Sequence, residues 1–304
     1  MIYPYIFIML VVFFYAGNIL IGKAINELPP FTIAFFRLLI AFTVVFPIGY
    51  LSAWKNRMTF WEYRKPFLIM TLAGVTFFNT FIYGSLQFTT ASNVAVLETV
   101  IPVVTVILSA YILKEKLLKI QWLGVALSCI GAVWVVMDGR ILNLASMHWN
   151  VGDFIMIGAI ASWSIYSIYV KQYMHLFPTY AALTVMTGIS VIVLLPIVLT
   201  EWFFTGIPSL GNPGYIAGLL YLGIFPSLIA LILYNRVVNV LGPSKASVFL
   251  NFLPVVTMIG AYFWLGENIT VMQVIGALIV IGGVILTTLK KSDTAKKLAD
   301  KSAS

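Results

Sequence analysis

Charge is what this sequence lacks most: only 9% of its 304 residues are Asp, Glu, Lys or Arg. A water-soluble domain carries roughly 25%, because its surface must face water. That surface is missing here, and 61% of the residues are hydrophobic. With a mean hydropathy of +1.02, the medium for most of the chain is the lipid bilayer. Cysteine is nearly absent too. The single Cys129 excludes an intramolecular disulfide, and its apolar setting reads as packing. Histidine is scarce, and His148 and His175 stand alone in expected loops, without the paired spacing of a metal site. No Walker glycine loop, His-Glu-x-x-His sequence or nucleophile motif occurs, so neither cofactor nor metal is expected and enzyme chemistry has no support. Met1-Ile2-Tyr3-Pro4 has no basic stretch of the kind that opens a removable signal peptide, so the first apolar run is expected to remain as a membrane helix.

Apolar runs are abundant. A hydrocarbon core of about 30 Å needs roughly 20 residues of helix. Cutting at charged, Pro-rich and Gly-rich breaks gives ten segments, near 4–24, 30–51, 66–86, 90–112, 119–137, 152–172, 178–201, 214–235, 243–264 and 270–289. The expected fold class is therefore all-α integral membrane with about ten transmembrane helices.

Ten spans put both termini on one side. If that side is the cytoplasm, its loops and tail hold Lys55, Arg57, Arg64, Lys65, Lys114, Lys116, Lys119, Lys171, Arg236, Lys245, Lys290, Lys291, Lys296, Lys297 and Lys301. The opposite side keeps Lys23 and Arg140. This positive-inside bias explains the net charge of +8 as topology and not as affinity for nucleic acid. The basic stretch 290–304 lacks apolar periodicity and is expected to be a disordered cytoplasmic tail.

The chain also repeats itself. Pro102-Val103-Val104-Thr105 recurs as Pro254-Val255-Val256-Thr257, and at the same offset Leu113, Glu115, Gln121, Gly124 and Gly131 match Leu265, Glu267, Gln273, Gly276 and Gly283. Lys23 and Pro30 match Lys171 and Pro178 at a slightly different offset. Shared membrane composition aligns Leu and Val by chance, but not Pro, Glu, Gln and Gly together. The expected units are 5–137 and 152–289, joined by an extracytoplasmic linker at 138–151. Five helices per unit is an odd number, so the second unit enters the membrane upside down. Inverted repeats of this kind let two bundles rock about a shared midplane site, which is the geometry of alternating access.

Thr90-Ala91-Ser92, Pro102, Leu113-Lys114-Glu115 and the second Leu265-Gly266-Glu267, with Lys23, Pro30 and Arg37 in the first helix pair, resemble the EamA family of the drug/metabolite transporter superfamily. The resemblance implies a ten-helix carrier of the cell membrane, often an exporter of amino acids or related metabolites. It discriminates substrates poorly.

Site candidates follow from cost. A charge inside the bilayer costs about 2.5–3.5 kcal/mol on insertion scales, so each needs a reason. Arg37 and Glu98 are the clear cases, both about 10–12 Å from the expected outer surface at 1.5 Å per residue. Asn18 and Asn79 share that layer, and Tyr83 follows Asn79 by one helical turn. Arg37 would attract a carboxylate, and Glu98 would offer proton coupling, since burial makes a neutral carboxyl accessible. A structural Arg37–Glu98 ion pair is the competing reading. Inversion places Trp163, Tyr166 and Asn251 in the inner half, with Val185 where the first unit has Arg37. Ser244, Ser247 and Asn251 share one helix face and would line a polar pathway or bond neighbouring helices. Pro102 and Pro254, mid-helix, are hinge candidates through the hydrogen bond each removes. The small-molecule substrate that fits carries a carboxylate. Rival readings are a multidrug exporter, an uptake carrier, or a membrane enzyme or scaffold. A monomer suffices to enclose a pathway, with a homodimer as the alternative.

Overall fold

The computed structural model describes residues 2–88, 94, 97–114, 117–136, 151–265 and 270–288. Thr90-Ala91-Ser92, Glu115, Arg140, His148, Glu267 and the tail lysines, singled out above, lie outside them. The described residues are helical almost throughout. The elements are α1 (Tyr3–Ala24), α2 (Pro30–Lys55), α3 (Arg57–Glu62), α4 (Arg64–Leu86), α5 (Ile101–Ile112) and α6 (Lys119–Val136). The second half contributes α7 (Val151–Leu176), α8 (Thr179–Thr205), α9 (Pro213–Leu241), α10 (Pro243–Phe249), α11 (Leu253–Leu265) and α12 (Val271–Thr288). Six of these, α1, α2, α4, α7, α8 and α9, are long and apolar enough to cross a membrane. Proline opens several: Pro30, Pro213 and Pro243 occupy first positions, where no intrahelical N–H bond is lost.

Equivalent helices of the two halves meet antiparallel. A Cβ on Gly124 would stand 2.6 Å from the Gly283 carbonyl oxygen, and one on Gly131 would stand 3.0 Å from that of Gly276. Gly124 and Gly131 are themselves the counterparts of Gly276 and Gly283, so α6 and α12 present the same small residues to each other head to tail. Backbones approach this closely only where side chains are absent. The contact is self-complementary, as a two-fold axis requires.

The pair α2 and α8 follows the same rule. Glu201, near the end of α8, accepts from the backbone N–H groups of Phe31 (3.1 Å) and Thr32 (2.8 Å) and from the Thr32 hydroxyl (2.7 Å). Its carboxylate thus satisfies orphan donors at the start of α2 and complements that helix's positive end. The end of one helix beside the start of the other makes the two antiparallel. Antiparallel pairing of equivalent helices is the arrangement of an inverted repeat.

Two spans carry wide π-type turns, at Thr71–Phe77 in α4 and Phe225–Ala230 in α9. In each turn a hydroxyl bonds the carbonyl five residues back: Thr76 to Thr71 at 3.2 Å and Ser227 to Leu222 at 2.7 Å. Such turns interrupt the regular ladder and re-aim the side chains they carry.

The expected continuous helix over 243–264 is broken. A 3-10 turn at Leu250–Phe252 separates α10 from α11. Pro254 is therefore the second residue of a new helical segment, and Pro102 holds the same position in α5. The expected mid-helix kink is replaced by a break one turn earlier, after which each proline's missing N–H costs no bond.

Candidate functional site

The site is assembled from α1, α2, α4, α7 and α9. Tyr15, Asn18 and Gly22 fall on one face of α1. A Cβ at Gly22 would lie 2.9 Å from the Tyr83 ring, so its absence seats that ring against α1. Arg37, only 2% exposed, reaches this face from α2. Its Nε donates to Ser227 Oγ at 2.8 Å, and its Nη1 donates to Asn18 Oδ1 at 2.9 Å and to the Tyr83 hydroxyl. The guanidinium also lies over the Tyr83 ring, 5.5 Å from its centroid. Tyr83 in turn donates to Asn18 Oδ1 at 2.9 Å, and Asn18 Nδ2 donates to Asn79 at 3.4 Å. Every hydrogen-bond partner of this buried cation is neutral. Among the described residues no carboxylate lies within ion-pair distance of it.

The Arg37–Glu98 contact that equal depth allowed is thus not made. Glu98 lies just before α5, buried, with Oε2 lacking a hydrogen-bond partner among the described residues. It lines a small cavity together with Tyr15, Asn18, Phe78, Ile82 and Trp163. A second cavity is lined by Arg37, Asn79, Gly74 and Ser227, and again by Tyr15 and Trp163. Asn18 joins the two chambers, lining the Glu98 side while bonded to Arg37. Both are narrow, about 20 and 10 Å³ respectively, which is space on the scale of single waters. The conformation is closed around its polar centre.

Trp163 forms the wall between the chambers. Its ring meets Phe78 at 4.4 Å, Tyr234 at 4.8 Å, Tyr166 at 5.3 Å and Tyr15 at 5.6 Å between centroids. Tyr15 and Trp163 are counterparts at the offset that relates Lys23 to Lys171. Equivalent residues touching each other lie beside the axis, so the two half-sites meet there and are not separate outer and inner layers.

Tyr166 carries a second symmetry relation. Its hydroxyl donates to Asn235 Oδ1 at 2.6 Å. Asn18 and Tyr83 of the first half correspond to Tyr166 and Asn235 of the second, so the same link between helices is made with the residue types exchanged. Gly74, in the π-type turn of α4, leaves room for the Tyr166 ring, which a Cβ there would meet at 2.2 Å.

The structure thus brings together Asn18, Arg37, Asn79, Tyr83, Glu98, Trp163 and Tyr166. It places two other candidates elsewhere. Ser247 donates to the Ser244 carbonyl of its own helix at 3.0 Å. Asn251 sits in the turn between α10 and α11 and donates to Ser128 on α6 at 3.0 Å, with Cys129 Sγ at 3.5 Å. The break at Leu250–Phe252 falls between the two, so Asn251 meets α6 while Ser247 stays bonded within α10. Tyr15, Ser227, Tyr234 and Asn235 were missed. The repeat offset of Pro102 and Pro254, applied to Tyr83, leads to Asn235.

A bundle of apolar helices in two antiparallel halves, closed around a buried cation near the contact of Tyr15 with Trp163, belongs to the class of multi-pass membrane carriers. A model of the EamA-like transporter family matches residues 2–137 and 150–289, and the chain belongs to that family. It is a transporter and not an enzyme. An uncharacterized transporter, YyaM of Bacillus subtilis (strain 168), is 29% identical over 221 residues, covering 72% of this chain and 71% of its own length. An uncharacterized transporter of Archaeoglobus fulgidus is 28% identical over 287 residues, covering 91% and 94%. A protein of known crystal structure superposes with a TM-score of 0.74 over 94% of this chain and 96% of its own, at 15% identity. That likeness speaks for the fold alone.

Proposed function

We propose that this transporter is a secondary carrier working by alternating access, and that it exports amino acids or related metabolites bearing a carboxylate. One observation carries the substrate class: Arg37 is buried at a cavity wall with three neutral partners, Asn18, Tyr83 and Ser227, and no anion among the described residues. A buried cation of this kind is costly unless something compensates it. A substrate carboxylate, accepting from the Nη2 hydrogens that these bonds leave over, supplies the missing charge. The aromatic wall of Tyr15, Phe78 and Trp163 then takes an apolar side chain. Export is what the family resemblance implies.

The test is counterflow on purified protein in liposomes, screening labelled amino acids with and without a pH gradient. Saturable exchange of one amino-acid class is the expected result, and none from folded protein would overturn the reading. Glu98 is assigned the coupling proton. Glu98→Gln is therefore expected to keep exchange while losing its response to the pH gradient, and a variant with unchanged pH dependence would remove Glu98 from that role.

One alternative has its own support. Glu98 Oε2, without a partner among the described residues and beside three aromatic rings, also suits a cationic drug. Exchange of a lipophilic cation, with none of any carboxylate, would select that reading.

The same proposal covers topology. The three shorter apolar helices, Ile101–Ile112, Lys119–Trp134 and Val274–Thr287, join the six long ones and the broken segment 243–265 to make ten spans. The units are 5–137 and 152–289, with 138–151 outside, the tail 290–304 inside and both termini cytoplasmic. The carrier works as a monomer. Single cysteines at Lys55 and at Lys23, in a Cys129→Ser background, check the orientation. A membrane-impermeant thiol reagent added to intact cells is expected to label the Lys23 site and spare the Lys55 site.

A further inference from the structure

Away from the central cavities, a wide concavity lies at the far end of α2. It is a groove of about 450 Å³ bounded by the end of α2, by α3, by the start of α4 and by one face of α8. Its lining includes Phe60 and Phe67 from the first half and Val185 and Ile189 from the second. Val185, the counterpart of Arg37, thus belongs to this groove and not to the carrier site.

The groove's other residues repeat a motif. Trp54-Lys55-Asn56-Arg57 and Trp61-Glu62-Tyr63-Arg64 are two copies of Trp-x-x-Arg, seven residues apart. In each copy the arginine lies over the indole three residues earlier, at 5.1 Å for Arg57 and 5.2 Å for Arg64. In each, the arginine Nη1 also donates to that tryptophan's carbonyl, at 3.2 and 3.1 Å. The two stacks hold flexible, exposed cations in defined places. Within residues 50–70, Lys55, Arg57, Arg64 and Lys65 face the single acid Glu62, an excess of three positive charges (four less one).

We infer that this groove binds an anionic phospholipid, its phosphate between Arg57 and Arg64 and an acyl chain along Phe60, Phe67, Val185 and Ile189. Charge complementarity selects the headgroup: each guanidinium keeps further N–H donors beyond the one spent on a tryptophan carbonyl, in a geometry suited to phosphate. The floor selects an amphiphile over a soluble anion, because apolar groove and basic rim adjoin. The position agrees, since the groove opens at the end of a membrane-length helix, where tryptophan prefers to sit. Because the lining comes from both halves, the bound lipid touches both. This inference does not depend on what the carrier transports.

The test is tryptophan quenching with the full chain in phosphatidylcholine vesicles. The vesicles carry a small fraction of brominated lipid, either phosphatidylglycerol or phosphatidylcholine. Subtracting the Trp54→Phe/Trp61→Phe variant isolates the two indoles. Brominated phosphatidylglycerol is expected to quench them about threefold more than brominated phosphatidylcholine. Arg57→Gln/Arg64→Gln, at exposed positions that leave the packing intact, is expected to equalise the two. Equal quenching in the unmodified protein would overturn the inference, as would a preference that survives in the glutamine variant. Loss of the preference on adding glycerol 3-phosphate at the lipid's own concentration would also overturn it, by showing a site for soluble anions.

Discussion

Replacing Arg37 with methionine is expected to weaken apparent substrate affinity roughly 30- to 150-fold in the counterflow assay. The magnitude follows from losing a charge-assisted pair of hydrogen bonds to a substrate carboxylate, worth about 2–3 kcal/mol. The same substitution separates binding from architecture. As a structural residue, Arg37 would take stability with it when removed, because Asn18, Tyr83 and Ser227 lose their common partner. As a substrate ligand it is a cost to the empty fold, since a buried cation without an anion is left uncompensated. The thermal midpoint of Arg37→Met is therefore expected to hold or rise while transport fails. Arg37→Lys keeps the charge without the planar fork and is expected to fall between the two. A lowered midpoint with normal transport would make Arg37 a brace and sink the carboxylate reading.

The second large effect is on the fold itself. Gly283→Leu is expected to lower stability by about 3 kcal/mol or more, the range in which buried steric collisions fall. A Cβ at that position would stand 2.4 Å from the Ser128 backbone nitrogen, and backbone cannot swing aside as a side chain can. For a chain of this size the thermal midpoint is expected to drop by roughly 5 °C or more. The adjacent glycine is the control. Gly282 has nothing within 4 Å of its Cβ position, so Gly282→Leu is expected to stay within about 0.5 kcal/mol of the parent. Equal damage at both positions would show that the α6–α12 crossing does not set the response, since leucine in place of glycine by itself favours a helix.

Much of this architecture was legible in advance because membrane helices obey strong local rules. Their apolar length marked the spans, and matched Pro, Gly and Gln marked the repeat. Depth is what linked the cluster: Asn18, Arg37, Asn79 and Glu98 are expected in one layer, and Asn18 and Glu98 line one chamber while Arg37 and Asn79 line the other. Partnership was harder to read. Ser227 lies 190 residues from Arg37, and no periodicity couples them. Asn251 misled because helical spacing gives a common face without saying what the face meets. The turn at Leu250–Phe252 breaks that face and carries Asn251 to Ser128. Trp163 was assigned to the inner half because inversion was applied to depth while the axis was left out. A residue close to the axis stays central when the unit is inverted, whichever half supplies it.

The exchanged link, Asn18 with Tyr83 in one half and Tyr166 with Asn235 in the other, bears on how two such halves diverge. Copies of one ancestral unit would begin with the same arrangement, so two changes separate them, either both in one copy or one in each. Neither order of events leaves a bare polar group. A tyrosine facing a tyrosine still offers a hydroxyl to each side, and an asparagine facing an asparagine still offers an amide donor and a carbonyl acceptor. The contact is therefore one that drift can cross in single steps without unsealing the carrier. Reversing it in the laboratory, through Asn18→Tyr with Tyr83→Asn, would retrace a path on which no intermediate is forbidden.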